Sequence, residues 1–250
     1  MGAAILSPTV SALGSPTRDT LDRVHSAGFR AVQLSAAQPG MRPRDLDQSA
    51  RRDVIASLRR RELALSGIDH LLPLEHFDDP SFAHRAVETT IAAIGLARDL
   101  GQVVLSVNLP PAGAARLEIA RRAQFEGVPL ADCRPGAIPE PPIGIGLDPA
   151  ALLAAGLDPV QSVFAAGPLL LAPRLSDLST GGMRVIPGAA PASGGRLSFE
   201  RYAASVATIS AAEAVIVDLR QLDDPWRAAE TVVSCWDRAL GPARWMGRPS

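Results

Sequence analysis

Residues 84–107 read HRAVETTIAAIGLARDLGQVVLSV. Over the first part, Ala83, Val87, Ile91, Ile94 and Leu96 fall close to one face of a helix spanning residues 81–100, and Gly101 stands where a C-cap belongs. The chain then passes straight into VVLSV, an apolar string with no side to give to water, as in a strand covered on both faces. A helix feeding such a strand is the unit of a parallel sheet wrapped by helices. Working outward, eight short runs of this kind are found, at 3–8, 29–35, 63–69, 102–108, 128–133, 143–148, 169–175 and 214–219. Helical periodicity recurs at 17–27, 44–61, 112–124, 198–209 and 225–240. Eight strands in 250 residues match the ~250 residues typical of a (β/α)8 barrel, so the expected fold is an α/β TIM barrel, one domain over 1–250. Two segments break the alternation. Residues 134–142 hold four prolines and a glycine, which predicts that the helix between strands five and six is missing, and the Gly-, Ala- and Pro-rich 179–196 reads as a long loop on the active face.

Composition narrows the function classes. Twenty-five basic against 26 acidic residues leave a formal charge of -1, giving no global field for nucleic acid or an anionic membrane. Aromatic residues at 4% argue against base-stacking platforms. No apolar run approaches the ~20 residues of a membrane span, and no basic region precedes the apolar N-terminus. With Cys133 and Cys235 expected as free thiols, the expected setting is cytoplasmic. All the basic residues are arginine, so mechanisms that need a lysine amine are excluded. Neither a nucleophile elbow nor a glycine-rich phosphate loop occurs.

Barrel chemistry sits at the C-terminal strand ends. There the runs carry Thr9, Gln33, Asp69 with His70, Asn108, Asp132 with Arg134, Asp148, Arg174 with Asp177, and Asp218 with Arg220. Four aspartates and three arginines close runs five to eight, which suits a pocket for a polar ligand; taken pair by pair they could equally be rim salt bridges. Gly194-Gly195-Arg196, with Arg220, is a candidate anion site or a flexible loop. Glu75-His76 with Asp78 and Asp79 reads as a polar loop, and Ser7, Ser106 and Ser176 have no sequence-defined base.

From Phe29 onward, GFRAVQL, the 84–107 stretch, IGIGLDPAALLAAGLDPVQSV, LLLAPRLSDL, GGRLSFERYAASV and AVIVDLR, in that order and spacing, resemble the xylose isomerase-like barrels. That superfamily contains sugar isomerases, sugar-phosphate epimerases and metal-dependent endonucleases of abasic DNA. The resemblance implies a divalent metal held by a glutamate, an aspartate, a histidine and a glutamate from strands five to eight. The matching residues here are Asp132, Asp148, Arg174 and Asp218; the histidine of the family's D-x-x-H pattern falls on Ala151, and a strand-two glutamate on Gln33. Aspartate falls short of glutamate by about 1.5 Å, against a tolerance of about 0.2 Å in metal–ligand distances, and arginine carries a permanent cation. The expectation is therefore no metal cofactor, with an all-carboxylate Mg or Mn site left open.

Two functions follow from the resemblance. In the first, a sugar or sugar-phosphate isomerase or epimerase uses Asp132 and Asp218 as acid and base, Arg174 as the electrophile that stabilises an enediolate, and His70 as a proton-handling residue. Asp148, Asp177, Arg134, Arg196, Arg220, Asn108 and Gln33 would bind the substrate. In the second, the barrel has lost catalysis and binds a carbohydrate or anion, or acts as a scaffold. A DNA-repair role is disfavoured by the missing histidines and the balanced charge.

Overall fold

A computed structural model describes residues 5–189 and 194–240. Residues 3 and 4 of the first run and 190–193 of the long loop lie outside the described residues. Eight parallel strands form the wall: β1 (Ile5–Pro8), β2 (Ala31–Ser35), β3 (Ala64–His70), β4 (Val104–Val107), β5 (Leu130–Asp132), β6 (Ile143–Leu147), β7 (Leu170–Leu175) and β10 (Ala214–Val217). Their order is β1-β10-β7-β6-β5-β4-β3-β2, and among the described residues a single parallel bridge, Thr9 to Gln33, joins the two edges. The result is a nearly closed (β/α)8 barrel, as the alternation of runs and helices predicts. Between β7 and β10 the chain makes a two-stranded antiparallel ribbon, β8 (Asp177–Leu178) and β9 (Arg184–Val185).

The outer layer holds α1 (Val10–Leu13), α2 (Arg18–Ser26), α3 (Gln48–Arg59), α4 (Glu75–Asp78), α5 (Ala83–Asp99), α6 (Ala114–Glu126), α7 (Pro149–Ala154), α8 (Pro159–Ala166), α9 (Phe199–Ile209) and α10 (Pro225–Leu240). Residues 133–142 contain no helix, in agreement with their proline content. Four short helices, α1, α4, α7 and α8, lie outside the periodic segments, and α4 falls in the stretch expected as a polar loop. Of these, α7 and α8 start with an aspartate N-cap followed by proline at the first helical position, Asp148-Pro149 and Asp158-Pro159.

The main core lies between strands and helices, with Ile68, Ile94, Leu105, Ile119, Tyr202 and Trp236 all but inaccessible. Inside the barrel Ala131, Ala172 and Ile216 make a minor cluster, and a cavity of about 520 Å³ at the N-terminal end is lined by small residues such as Ala31, Ala64, Ser66, Ser106 and Ala214 alongside Ile5, Val104 and Leu171. Barrel lumens are more often filled by bulky branched residues. Strand β6 comes especially close to its neighbours. A Cβ on Gly144 would lie 2.5 Å from the Leu171 side chain and 2.7 Å from the Leu169 carbonyl, whereas one on Gly95, in α5, would meet nothing within 4 Å. Gly144→Ala is expected to cost about 1–3 kcal/mol through overpacking. Gly95→Ala is expected to gain about 0.5–1 kcal/mol through helix propensity. Urea denaturation of the two variants checks both signs.

Candidate functional site

Alternation along each strand decides which run-end residues enter the barrel mouth. On β7, Ala172 faces the lumen, so Arg174 does too; on β10, Ile216 faces it, so Asp218 follows. Arg174 is fully buried and is exceeded in volume only by Trp236 among the side chains so enclosed. Its guanidinium grips Asp69 with both terminal nitrogens: Nη1 donates to Oδ2 at 3.2 Å, and Nη2 makes a short contact to Oδ1. Nη1 also lies 3.5 Å from Asp218 Oδ2. Gln33 supports the pair from below, donating to Asp69 Oδ1 at 2.8 Å. Burial alone would push the Arg174 proton off, but Asp69 and Asp218 more than offset it, so the side chain stays charged.

Asp218 accepts from Arg220 and is ion-paired with Arg184. Arg220 chelates it through Nε, at 2.8 Å, and through a short Nη2 contact, and Arg184 Nη1 stands 3.3 Å away. Burial would raise its pKa, yet the hydrogen bonds and charge of Arg220 and the fields of Arg174 and Arg184 hold it far below the usual carboxylate range. Asp148 accepts from Ser176 Oγ at 2.6 Å and from the backbone amides of Ala150 and Ala151 at 3.1 and 3.4 Å, and forms a short ion pair with Arg184. Arg184 comes from β9, in the segment the sequence shows only as a loop, and the sequence reading missed it. The reading also noted Asp69 without assigning it a role, although it is Arg174's main partner.

Around these groups opens a cavity of about 340 Å³ lined by Asn108, Cys133, Asp148, Arg174, Arg184 and Arg220, among others. Asn108 donates to the Leu72 carbonyl at 3.0 Å, which steadies the wall. Three guanidiniums meet three carboxylates here, so the charges of the inner site cancel.

Other expected site residues lie elsewhere. Asp132 does not join the mouth. Its neighbour Ala131 faces the lumen, so Asp132 points outward and accepts from Arg116 of α6 at 3.2 Å and from the backbone amides of Leu109 and Arg134. The residue that turns inward just after β5 is Cys133, whose thiol burial pushes up to about 11. Arg134 leans on Asp132 at 3.6 Å. Asp177 occupies the place where an anion was expected beside 194–196: its Oδ1 accepts from the amides of Leu178, Arg196 and Leu197 at 2.7, 3.0 and 2.8 Å. The loop amides are thereby used within the chain, and the Arg196 side chain is exposed.

His70 also leaves the barrel. Asp69 takes the inward direction on β3, and His70 points out toward α5, with neither ring nitrogen hydrogen-bonded among the described residues. Burial lowers its pKa to about 4. Because the folded value lies below the unfolded 6.5, the unfolded chain takes up the proton first: stability is undiminished above pH 6.5 and falls as the pH drops toward 4. His70→Asn is expected to remove about 3 kcal/mol of that pH dependence, measured as a flatter stability profile between pH 6.5 and 4.

No family model matches the chain, and no curated protein resembles it in sequence closely enough to match. Solved structures do match. A xylose isomerase domain protein from Planctomyces limnophilus superposes with a TM-score of 0.71 at 14% identity, over 95% of this chain and 98% of that one. A sugar phosphate isomerase/epimerase from Parabacteroides distasonis gives 0.67 at 13% identity, over 98% and 96%. A D-psicose 3-epimerase crystallised with D-fructose gives 0.67 at 12%, over 96% and 100%. Across nearly its whole length, the chain has the fold of the xylose isomerase-like TIM barrels.

Proposed function

We propose that the barrel mouth binds a monosaccharide-sized polyol without a divalent metal, its hydroxyls meeting Asn108, Asp148, Arg184 and Arg220. The observation that carries this reading is that every carboxylate of the inner site is already bridged by guanidinium. A divalent ion needs carboxylate lone pairs and tolerates no fixed cation among its ligands. Here Arg174 and Arg184 stand between the carboxylates, and among the described residues no three His, Cys, Asp or Glu side chains converge to hold a metal. The donor set does not fit the ion that the fold family implies.

Local neutrality favours an uncharged ligand, since a sugar phosphate would find no surplus positive charge to pay for its own desolvation. The names of the structural neighbours support a sugar as the ligand class, and the 340 Å³ cavity lies at the small end of the range for small-molecule sites. Carboxylate proton transfer gains little support from the same geometry. Asp218 is held ionised and has almost no affinity for a proton taken from carbon, and Asp132 faces α6. The reading is thus of a carbohydrate-binding barrel, with isomerisation as the competing outcome.

Calorimetric titration with D-fructose and D-psicose, before and after EDTA treatment, tests it. Binding is expected to survive EDTA, Arg184→Ala to weaken it about tenfold, and fructose 6-phosphate to bind no more tightly than fructose. Elemental analysis is expected to find no stoichiometric zinc, manganese or iron. A bound metal whose removal abolishes binding, or solvent deuterium entering the sugar next to its carbonyl, would overturn the proposal in favour of an isomerase or epimerase. Removing Arg174 tests the frame beneath: Arg174→Ala strips the buried Asp69 carboxylate of its guanidinium partner, while Asp218 keeps Arg220 and Arg184, and is expected to cost about 3–5 kcal/mol in urea unfolding.

A further inference from the structure

A second cavity, of about 460 Å³, lies outside the barrel, where the C-terminal ends of β2 and β3 face α5. It is separate from the mouth. Leu71 and Pro73 line the mouth, while Leu72, between them in sequence, lines the outer cavity. Its inner wall holds His70, 6% exposed, with both ring nitrogens unpartnered among the described residues. Buried polar groups are nearly always satisfied, so a buried imidazole facing open space marks a place for a hydrogen-bonding atom that the described residues do not supply.

The rest of the lining divides into two kinds. Ala36, Leu72 and Ala86 give an apolar wall, extended by the His76 and Phe82 rings, which stack at 5.4 Å between centroids. Arg42, Arg44 and Arg85 bring positive charge. Arg44 is partly offset by Asp45 at 3.7 Å, but no carboxylate among the described residues pairs with Arg42 or Arg85. Arg42 Nε donates to the Ala37 carbonyl at 3.2 Å, which anchors that side chain and leaves its terminal nitrogens free to reach a ligand. Unlike the mouth, this cavity has an uncompensated positive charge.

We infer that the outer cavity binds a small organic carboxylate with an apolar body and a hydroxyl at its far end. The carboxylate meets Arg42 and Arg85, the body covers Ala36, Leu72 and Ala86, and the hydroxyl reaches the neutral His70 ring. Guanidinium–carboxylate bonds are strong enough to give a charge preference of about tenfold or more. A body of this kind uses the apolar wall, which an inorganic anion leaves uncovered.

The test follows the imidazole signals of His70 by NMR while the intact protein is titrated with 3-(4-hydroxyphenyl)propionate. The uncharged 3-(4-hydroxyphenyl)propan-1-ol and inorganic phosphate serve as comparison probes. The carboxylate is expected to move the His70 signals, the alcohol to bind about tenfold more weakly, and phosphate to leave them in place. The double variant R42A/R85A, whose changes lie at the solvent-facing side, is expected to keep its thermal midpoint and lose about tenfold in carboxylate affinity. Unmoved His70 signals at saturating solubility of the carboxylate, equal binding of acid and alcohol, a response to phosphate alone, or an unchanged R42A/R85A affinity would each overturn the inference.

Discussion

The fully buried guanidinium of Arg174 is the constraint on which the upper half of the barrel depends. A charge cannot be taken out of water alone, so Asp69 must come from β3 and Asp218 from β10 to meet it. Each partner then needs its own support, which Gln33 gives to Asp69 and Arg220 and Arg184 give to Asp218. The linkage ties β2, β3, β7, β9 and β10 to one polar centre. Below it the lumen cavity is lined by alanine and serine together with Ile5, Val104, Leu171 and Ile216, and the long charged side chain of Arg174 closes it from above.

That arrangement is built on a fold shared with the structural neighbours. The strand order and closure are those of a sugar isomerase-like barrel, whereas the mouth satisfies its carboxylates internally. Shared architecture does not carry an activity with it. Here the side chains that would have to change roles are already engaged with one another.

The fold was legible because strands buried on both faces leave continuous apolar strings, and because proline at 135, 139, 141 and 142 forbids a helix. The site was legible in part. Arg174, Asp148 and Asp218 were found from their places at run ends, since a polar residue closing an apolar string is a strong mark. Asp132 was misplaced because 128–133 reads VPLADC, where an apolar run without clear alternation cannot say whether residue 132 or 133 turns inward. His70 was misdirected for the same reason, with the irregular register between Val32 and Gln33 opposite Gly67 altering which side of β3 faces the lumen. Arg184 lies on a two-residue strand, too short for any period to show. The aspartate–proline pairs at 148–149 and 158–159 did signal α7 and α8, and weighing cap chemistry ahead of periodicity would have found both.

The strip 71–73 gives two sides of the molecule a common wall, with Leu71 and Pro73 turned to the mouth and Leu72 to the outer cavity, and Asn108 holding its backbone at the Leu72 carbonyl. Such a partition is where occupancy of one side would be felt by the other. If filling one cavity changes affinity at the other by some factor, filling the second changes affinity at the first by the same factor, because linkage between two binding equilibria is reciprocal. The sign of that coupling is set by whether the two occupants ask the strip to move the same way.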